Sequence, residues 1–149
     1  MKKYLLIILV IVLALIAGFF AFRPTLDTSQ INSVEEVAVP ADFTAKFEIY
    51  TNGTKRVFTN AMYHNLSGDV FIESKDPSAI YIKKNGVTWN DFFRTLPFEL
   101  SENCLVTGNG ETYCTGEKGI LNFYLNGQSS PNALNLQISP DDELIVRFE

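Results

Sequence analysis

The chain has 149 residues, of which 46% are hydrophobic and 19% charged, and its formal net charge is −5. An acidic chain of this length excludes a multidomain enzyme. It also argues against a nucleic-acid-binding protein, since such proteins use basic clusters to neutralise phosphates. Abundant aromatic and β-branched residues exclude a disordered chain.

The amino-terminal run from Tyr4 to Phe22 contains no charged side chain. About 20 apolar residues, each rising 1.5 Å along a helix, cross a bilayer core of roughly 30 Å. Residues 1–22 are therefore predicted to be a signal anchor, a single transmembrane helix, and a cleaved secretory signal is the alternative. Lys2 and Lys3 favour a cytoplasmic amino terminus, with the carboxyl-terminal domain outside the cell membrane.

Residues 23–40 have a proline near each end and little apolar periodicity, which is typical of a stalk. Residues 41–149 are then expected to form an extracytoplasmic, β-rich domain. Without Lys2 and Lys3, the chain holds 10 basic and 17 acidic side chains, a net charge of −7. This excess favours a basic partner or a cation over an anionic one.

Three Asn-Gly pairs follow segments in which apolar and polar residues alternate, at Asn52-Gly53, Asn85-Gly86 and Asn126-Gly127. Asn-Gly supplies the two positive φ angles of a tight hairpin turn, so each pair predicts a β-hairpin. Near the carboxyl terminus, Leu144, Val146 and Phe148 alternate with Ile145, Arg147 and Glu149. This alternation predicts a final strand.

One short helix interrupts this pattern. Thr88 and Asp91 resemble a capping box, and the next apolar residues share one helical face that ends before Pro97: Trp89, Phe92, Phe93 and Leu96. Strands, one helix and further strands predict an α+β fold in which the helix packs on one face of a sheet.

The stretch ILNFYLNGQ…ALNLQISPDDELIVRFE, within residues 119–149, resembles the closing half of β-grasp (ubiquitin-like) domains, particularly the sulfur-carrier proteins. The resemblance implies a β-grasp-like domain of antiparallel or mixed strands after the transmembrane helix. Those carriers act through a free Gly-Gly terminus, whereas this sequence ends in Arg147-Phe148-Glu149. The resemblance therefore implies the fold and not the carrier chemistry.

Residues 63–96 also resemble small membrane-anchored prokaryotic proteins whose strands carry His-x-His pairs. Two imidazoles on one strand face suit copper or zinc. The corresponding positions here are Phe71, Glu73, Tyr81 and Lys83, and His64 is the one histidine of the chain. The resemblance implies that this chain has lost most of such a ligand set.

Cys104 and Cys114 flank Asn109-Gly110, which predicts a hairpin that brings the two sulfur atoms together. Two cysteines in an exported domain indicate a structural disulfide. A metal or redox pair and two free thiols are the alternatives, and the spacing is not the Cys-x-x-Cys of a redox motif.

Other polar residues have both structural and chemical interpretations. The carboxylates Asp69, Glu73 and Asp76, and the run 141–143, could attract Ca²⁺ but lack the spacing of a calcium loop and are expected to be solvated turn residues. Asn52 and Asn65 each begin an N-glycosylation sequon. These two are candidate glycosylation sites if the cell has the transferase.

Together these features predict a membrane-anchored extracytoplasmic binding or scaffolding module of the cell envelope. It is expected to be no enzyme and to need no cofactor, since no catalytic grouping can be named. Its expected partners are the membrane and another envelope protein, contacted through exposed sheet faces and edges. The alternative is a copper- or zinc-handling envelope domain in which His64 and Glu73 are remnants of a metal site.

Overall fold

The computed structural model describes residues 41–149. These residues form ten strands and one α-helix. In chain order the elements are β1 (Phe43–Thr51), β2 (Thr54–Lys55), β3 (Val70–Glu73), β4 (Asp76–Ile82), α1 (Trp89–Phe93), β5 (Glu99–Leu100), β6 (Cys104–Val106), β7 (Thr112–Cys114), β8 (Leu121–Leu125), β9 (Gln128–Ser129) and β10 (Glu143–Phe148). Two short 3₁₀ turns lie at Ala61–Tyr63 and Ala133–Asn135.

Seven strands form the large sheet, in the order β3-β4-β1-β10-β8-β9, and β2 extends the end of β1. The first and last strands, β1 and β10, pair in parallel at its centre, from Lys46 opposite Glu143 to Thr51 opposite Phe148. The other neighbours in this sheet pair antiparallel. A parallel pair needs a long crossover, and here the crossover contains all the other described elements of the chain.

The two central strands supply much of the core. Phe47 and Ile49 of β1 and Leu144 and Val146 of β10 are almost fully buried, and they alternate with more exposed residues. This alternation is the period of a strand with one face on a core. The predicted final strand and its inward-facing residues are confirmed.

Helix α1 packs on the core face of the large sheet. Phe92 and Phe93 lie with their ring centroids 5.1 and 5.8 Å from that of Phe47. The Thr88 hydroxyl accepts a hydrogen bond from the Asp91 amide at 3.1 Å, and the Asp91 carboxylate accepts one from the Thr88 amide at 2.9 Å. The predicted capping box and the buried face of Trp89, Phe92 and Phe93 are confirmed, but the helix ends at Phe93, so Leu96 is buried beyond its end.

Strands β5, β6 and β7 form a second, three-stranded sheet. Its strands are only two or three residues long, and Leu105 is its fully buried side chain. The predicted turn at Asn109-Gly110 joins β6 to β7, with Gly110 at φ 85°. This small sheet stands beside the end of β1 that carries β2, and a cleft separates the two.

Two of the three Asn-Gly hairpin predictions are confirmed. Asn52 and Asn126 have φ angles of 52° and 53° in the turns that join β1 to β2 and β8 to β9. The prediction at Asn85-Gly86 is wrong, because this pair lies between β4 and α1 and leads the chain from a strand into the helix. Gly86 still takes a positive φ of 79°, so the pair makes a turn without a second strand.

The predicted α+β class is also wrong. The described residues are mainly strands, arranged in two sheets, and their single α-helix has five residues. The sequence predicted the hairpin of β6 and β7 but not β5 or a separate second sheet, because these strands are too short to show a period. The predicted transmembrane helix at 1–22 and stalk at 23–40 lie outside the described residues. Within 41–149, no helix has the length and apolar character needed to cross a bilayer.

The capping box provides a first test of the fold. Replacing Thr88 by Ala removes the hydroxyl that accepts the Asp91 amide, so the free energy of unfolding should fall by about 1 kcal/mol. Thr88→Ser keeps a hydroxyl and should lose much less. Urea unfolding of the full chain, followed by the fluorescence of its one tryptophan, measures both; equal losses would contradict the role of the hydroxyl.

A candidate binding cleft between the two sheets

A cleft of about 570 Å³ opens between the end of the large sheet and the small sheet. One wall is the turn from β1 into β2 and the segment 56–58 that comes after it. The other wall is formed by β6, β7 and the loop between them, at residues 105–113. We call this space the main cleft. Its volume is in the range of sites that hold small molecules.

The floor of the main cleft is apolar. Ile49, Phe58 and Leu105 are buried, and Tyr63 and Phe98 pack against them as partly buried rings. The ring centroid of Phe58 lies 5.2 Å from that of Tyr63 and 5.8 Å from that of Phe98. Such packed aromatic rings give the floor a fixed shape.

Arg56 joins the two walls. Its Nε donates a hydrogen bond to Oγ1 of Thr51 at 3.0 Å, within its own wall. Its Nη2 crosses the cleft and donates to Oε2 of Glu111 at 3.0 Å and to the hydroxyl of Tyr113 at 2.8 Å. Its Cζ also lies 5.0 Å from the centroid of the Tyr113 ring, a cation–π distance. The guanidinium is therefore held by three side chains from both sheets.

Charges on the rim are paired. The Arg56 guanidinium lowers the pKa of Glu111, chiefly through its hydrogen bond, so this carboxylate stays ionised at neutral pH. Lys55 donates to Glu48 at 2.5 Å, which raises the pKa of Lys55 and lowers that of Glu48. Tyr50 donates a second hydrogen bond to Glu48 at 2.6 Å. Each lysine or arginine that lines the main cleft therefore has a carboxylate partner.

Uncharged polar side chains complete the rim. They carry two hydroxyls and one amide, and they belong to Thr54, Thr107 and Asn52; Thr51 also lines the cleft but is buried. Hydroxyls both donate and accept hydrogen bonds, and an amide offers both kinds of group. The mouth of the main cleft is thus polar while its floor is apolar.

A second cleft, of about 440 Å³, continues beyond Tyr113. It shares Asn52 and Tyr113 with the main cleft, and its other lining residues include Thr112, Lys118 and Phe148. The rings of Tyr113 and Phe148 meet edge to face, with centroids 5.4 Å apart. The two clefts adjoin at Asn52 and Tyr113, and we call them together the groove.

The cysteine pair supports the wall that carries Glu111 and Tyr113. Cys104 and Cys114 lie directly opposite each other on β6 and β7, with Cα atoms 4.0 Å apart and their sulfur atoms at disulfide distance. This agrees with the predicted pairing. The bond closes the hairpin whose loop holds Glu111.

The residues of the predicted alternative metal site do not lie in the groove. Nε2 of His64 lies 2.9 Å from the backbone oxygen of Phe58, and Glu73 stands at the end of β3 opposite Asp76. Within residues 41–149, no three His, Cys, Asp or Glu side chains come together as a metal site would need. Phe71 of β3 and Tyr81 of β4 lie opposite each other as stacked rings 5.6 Å apart, and Lys83 comes after the end of β4.

The acidic residues considered as calcium ligands make local contacts. Asp69 accepts a hydrogen bond from Lys84 at 3.0 Å, and Asp76 accepts one from the Ser78 amide at 3.2 Å. The buried Asp142 accepts from the Asn126 amide group and from the Ser139 amide, both at 2.8 Å. Asp69 and Asp76 are exposed, as expected of solvated turn residues, but for Asp142 that expectation is wrong, because its carboxylate is buried and hydrogen-bonded within the protein.

The two sequon asparagines are both exposed and both have positive φ angles, 52° at Asn52 and 53° at Asn65. Asn52 lies at the tip of the turn between β1 and β2 and lines both clefts of the groove. Glycosylation of Asn52 stays a prediction, and a glycan there would stand at the mouth of the groove.

Sequence reasoning did not identify Arg56, Glu111 or Tyr113. Arg56 is 55 residues from Glu111 and 57 from Tyr113 along the chain. No local motif joins these positions, and no spacing rule applies to a contact between two sheets. The only sequence signal near these residues is the short, partly apolar segment around each of them, which does not indicate that they meet.

Comparison with known protein families, with curated proteins and with solved structures finds no match. The resemblance to β-grasp domains and the looser resemblance to the proteins with His-x-His strands therefore stay predictions.

The cysteine pair is open to a direct test. Changing both Cys104 and Cys114 to Ser should lower the free energy of unfolding by about 2–3 kcal/mol, because a loop of this length is no longer closed in the unfolded chain. Denaturant unfolding of the full chain measures the loss. Reductant should destabilise the wild type by a similar amount and leave the double variant unchanged; wild type insensitive to reductant would contradict a closed disulfide.

The ion pair on the rim predicts a pH dependence. Because the folded-state pKa of Glu111 is lowered, its stabilising effect is present above its ordinary pKa of 4.5 and is lost as pH falls through the lowered value. Glu111→Gln should therefore lose less stability than the wild type between pH 6 and about pH 2. Glu117→Gln serves as the matched control and should behave like the wild type. Identical pH profiles for Glu111→Gln and the wild type would contradict the pair.

Proposed function

We propose that the chain is a non-enzymatic binding module of the cell envelope. The amino-terminal apolar run anchors it in the cell membrane, and the domain outside holds an envelope component in the groove. The observation that carries the proposal is the guanidinium of Arg56, which ties the walls of a cleft of about 570 Å³ together through Thr51, Glu111 and Tyr113.

The chemistry of the groove supports binding rather than catalysis. The charged groups that line the main cleft are engaged with carboxylates or hydroxyls at hydrogen-bond distance, as in a preorganised recognition site. A nucleophile would need a base within reach to activate it. Within residues 41–149 the one histidine is His64, and it faces the backbone oxygen of Phe58.

The edges of the sheets support the groove as the contact surface. The edge strands β3 and β9 of the large sheet have four and two residues, and β5 and β7 of the small sheet have two and three. Very short edge strands are one means by which proteins prevent another chain from pairing with a sheet. In addition, the backbone N–H of Asn65 donates a hydrogen bond to the backbone oxygen of Ile72 at 3.0 Å, so this oxygen of edge strand β3 is already paired.

The cysteine pair and the amino-terminal sequence support a location outside the membrane. Disulfides persist in oxidising compartments, and they stabilise small domains with limited cores. The excess of lysine before the apolar run of residues 4–22 favours export of the carboxyl-terminal remainder of the chain.

Site-specific photocrosslinking of the full-length protein in its native membrane tests the proposal. Val57 lines the main cleft and is 70% exposed, which makes it a position for a benzophenone side chain. Leu136 is 42% exposed and lies away from the groove, so it serves as the matched control. We expect a covalent adduct with an envelope component from position 57 and none from position 136.

Two further results decide the proposal. The adduct at position 57 should be lost when Arg56 is changed to Met, because the walls of the main cleft are then no longer tied together. Adducts of equal yield from positions 57 and 136, or none from either, would contradict a binding role for the groove.

A further inference from the structure

We infer that the groove binds a neutral, hydroxyl-rich chain, a segment of an envelope oligosaccharide or polysaccharide. This inference rests on the proposed function and names the class of its ligand. Charge, hydrogen-bonding capacity and shape each contribute to it.

Charge argues against an ionic ligand. In the main cleft Lys55 and Arg56 are already paired with Glu48 and Glu111, so an anion or a cation would have to break one of these pairs to be bound. The second cleft is lined by one acidic and one basic side chain, Glu117 and Lys118, and so carries no formal net charge. Removing one partner from an ion pair leaves the other without compensation, which is costly when the site is covered by ligand. The described residues also hold more acidic than basic side chains, which disfavours a polyanion. A neutral ligand meets neither obstacle.

The rim offers the hydrogen-bonding groups that hydroxyls need. Thr54 and Asn52 are exposed and carry a hydroxyl and an amide, each of which can donate and accept. The hydroxyls of Thr51 and Thr107 are already hydrogen-bonded within the protein, to Arg56 and Asn109. The Arg56 guanidinium and its carboxylate partner present planar groups with several donor or acceptor positions. A ligand whose hydroxyls lie close together along a chain can use such a mixture without introducing a charge.

The floor of the groove suits the carbon face of a sugar ring. A sugar ring has one or both faces built largely of C–H groups, and these pack on aromatic and aliphatic surface. Tyr63 and Phe98 are half-buried rings that line the main cleft, and the half-buried ring of Tyr113 lines both clefts. Phe58 and Phe148, which also line the clefts, are buried. Polar groups above and apolar surface below match the two sides of such a ligand.

The combined size of the two adjoining clefts favours a chain over a single small molecule. The main cleft of about 570 Å³ and the second cleft of about 440 Å³ meet at Asn52 and Tyr113. A ligand of several linked units could occupy both. An extended peptide is the rival occupant, but it gains most from pairing with a strand. Strands β2 and β7, which border the groove, have only two and three residues.

Binding of the purified full chain to immobilised hexasaccharides tests the inference. The probes are maltohexaose, cellohexaose, mannohexaose and chitohexaose, all neutral, with hexagalacturonic acid as the charged comparison. We expect binding to at least one neutral probe and none to the acidic one. Arg56→Lys, which keeps the charge but loses the planar fork, should weaken that binding at least about tenfold, the loss of roughly one charge-assisted hydrogen bond.

Two other variants complete the experiment. Arg94→Lys makes the same exchange outside the groove and should leave the affinity unchanged. Tyr113→Phe removes one hydroxyl with little change of shape, so it tests the groove if Arg56→Lys fails to fold, and it should weaken binding several-fold.

The inference is overturned if none of the neutral probes binds, if the acidic probe binds instead, or if Arg94→Lys weakens binding as much as Arg56→Lys. A protein adduct from position 57 without binding to any neutral hexasaccharide would overturn the inference in favour of a peptide ligand. That result would leave the proposed function intact. If neither the adduct from position 57 nor binding to a neutral hexasaccharide is observed, both the inference and the proposed function are overturned.

Discussion

The hydrogen bonds of the Arg56 guanidinium are the interaction on which the binding surface of this domain depends. They hold Thr51 at the end of the large sheet and Glu111 and Tyr113 in the small sheet, at 3.0, 3.0 and 2.8 Å. Without them the two walls would be joined mainly by apolar contacts around Leu105 and Phe98, which have no fixed direction. A directional, charge-assisted network fixes the opening where packing alone would not.

The large sheet supplies stability, whereas the small sheet positions side chains at the cleft. The parallel pair of β1 and β10 lies at the centre of the large sheet and, with α1, buries the largest side chains, so it supplies most of the stability. The small sheet has little core of its own and relies on the Cys104–Cys114 pair and on the contact between Tyr113 and Phe148. It is suited to present side chains across a cleft, since its shape is held by covalent and polar links.

The features that could be predicted from the sequence are local. The capping box of Thr88 and Asp91, the Asn52-Gly53 turn and the alternation of the last strand all depend on residues within one turn or strand. The predictions that failed needed long-range information. Asn85-Gly86 has hairpin chemistry, but a helix comes after it in place of a partner strand. The β6–β7 hairpin was predicted, but β5 and the separation of these strands into a second sheet were not, because the strands are too short to show alternation. The Arg56 network was not predicted because its members meet only when the sheets do.

Amide hydrogen exchange of the full chain, compared between the wild type and Arg56→Met, tests most directly whether this guanidinium holds the small sheet in place. We expect exchange to become several-fold faster in β6, β7 and the loop at 107–111, because opening of that sheet no longer breaks bonds to a charged group. The central strands β1 and β10 should keep their protection. Unchanged exchange in β6 and β7, or a uniform loss of protection over residues 41–149, would contradict this role of Arg56.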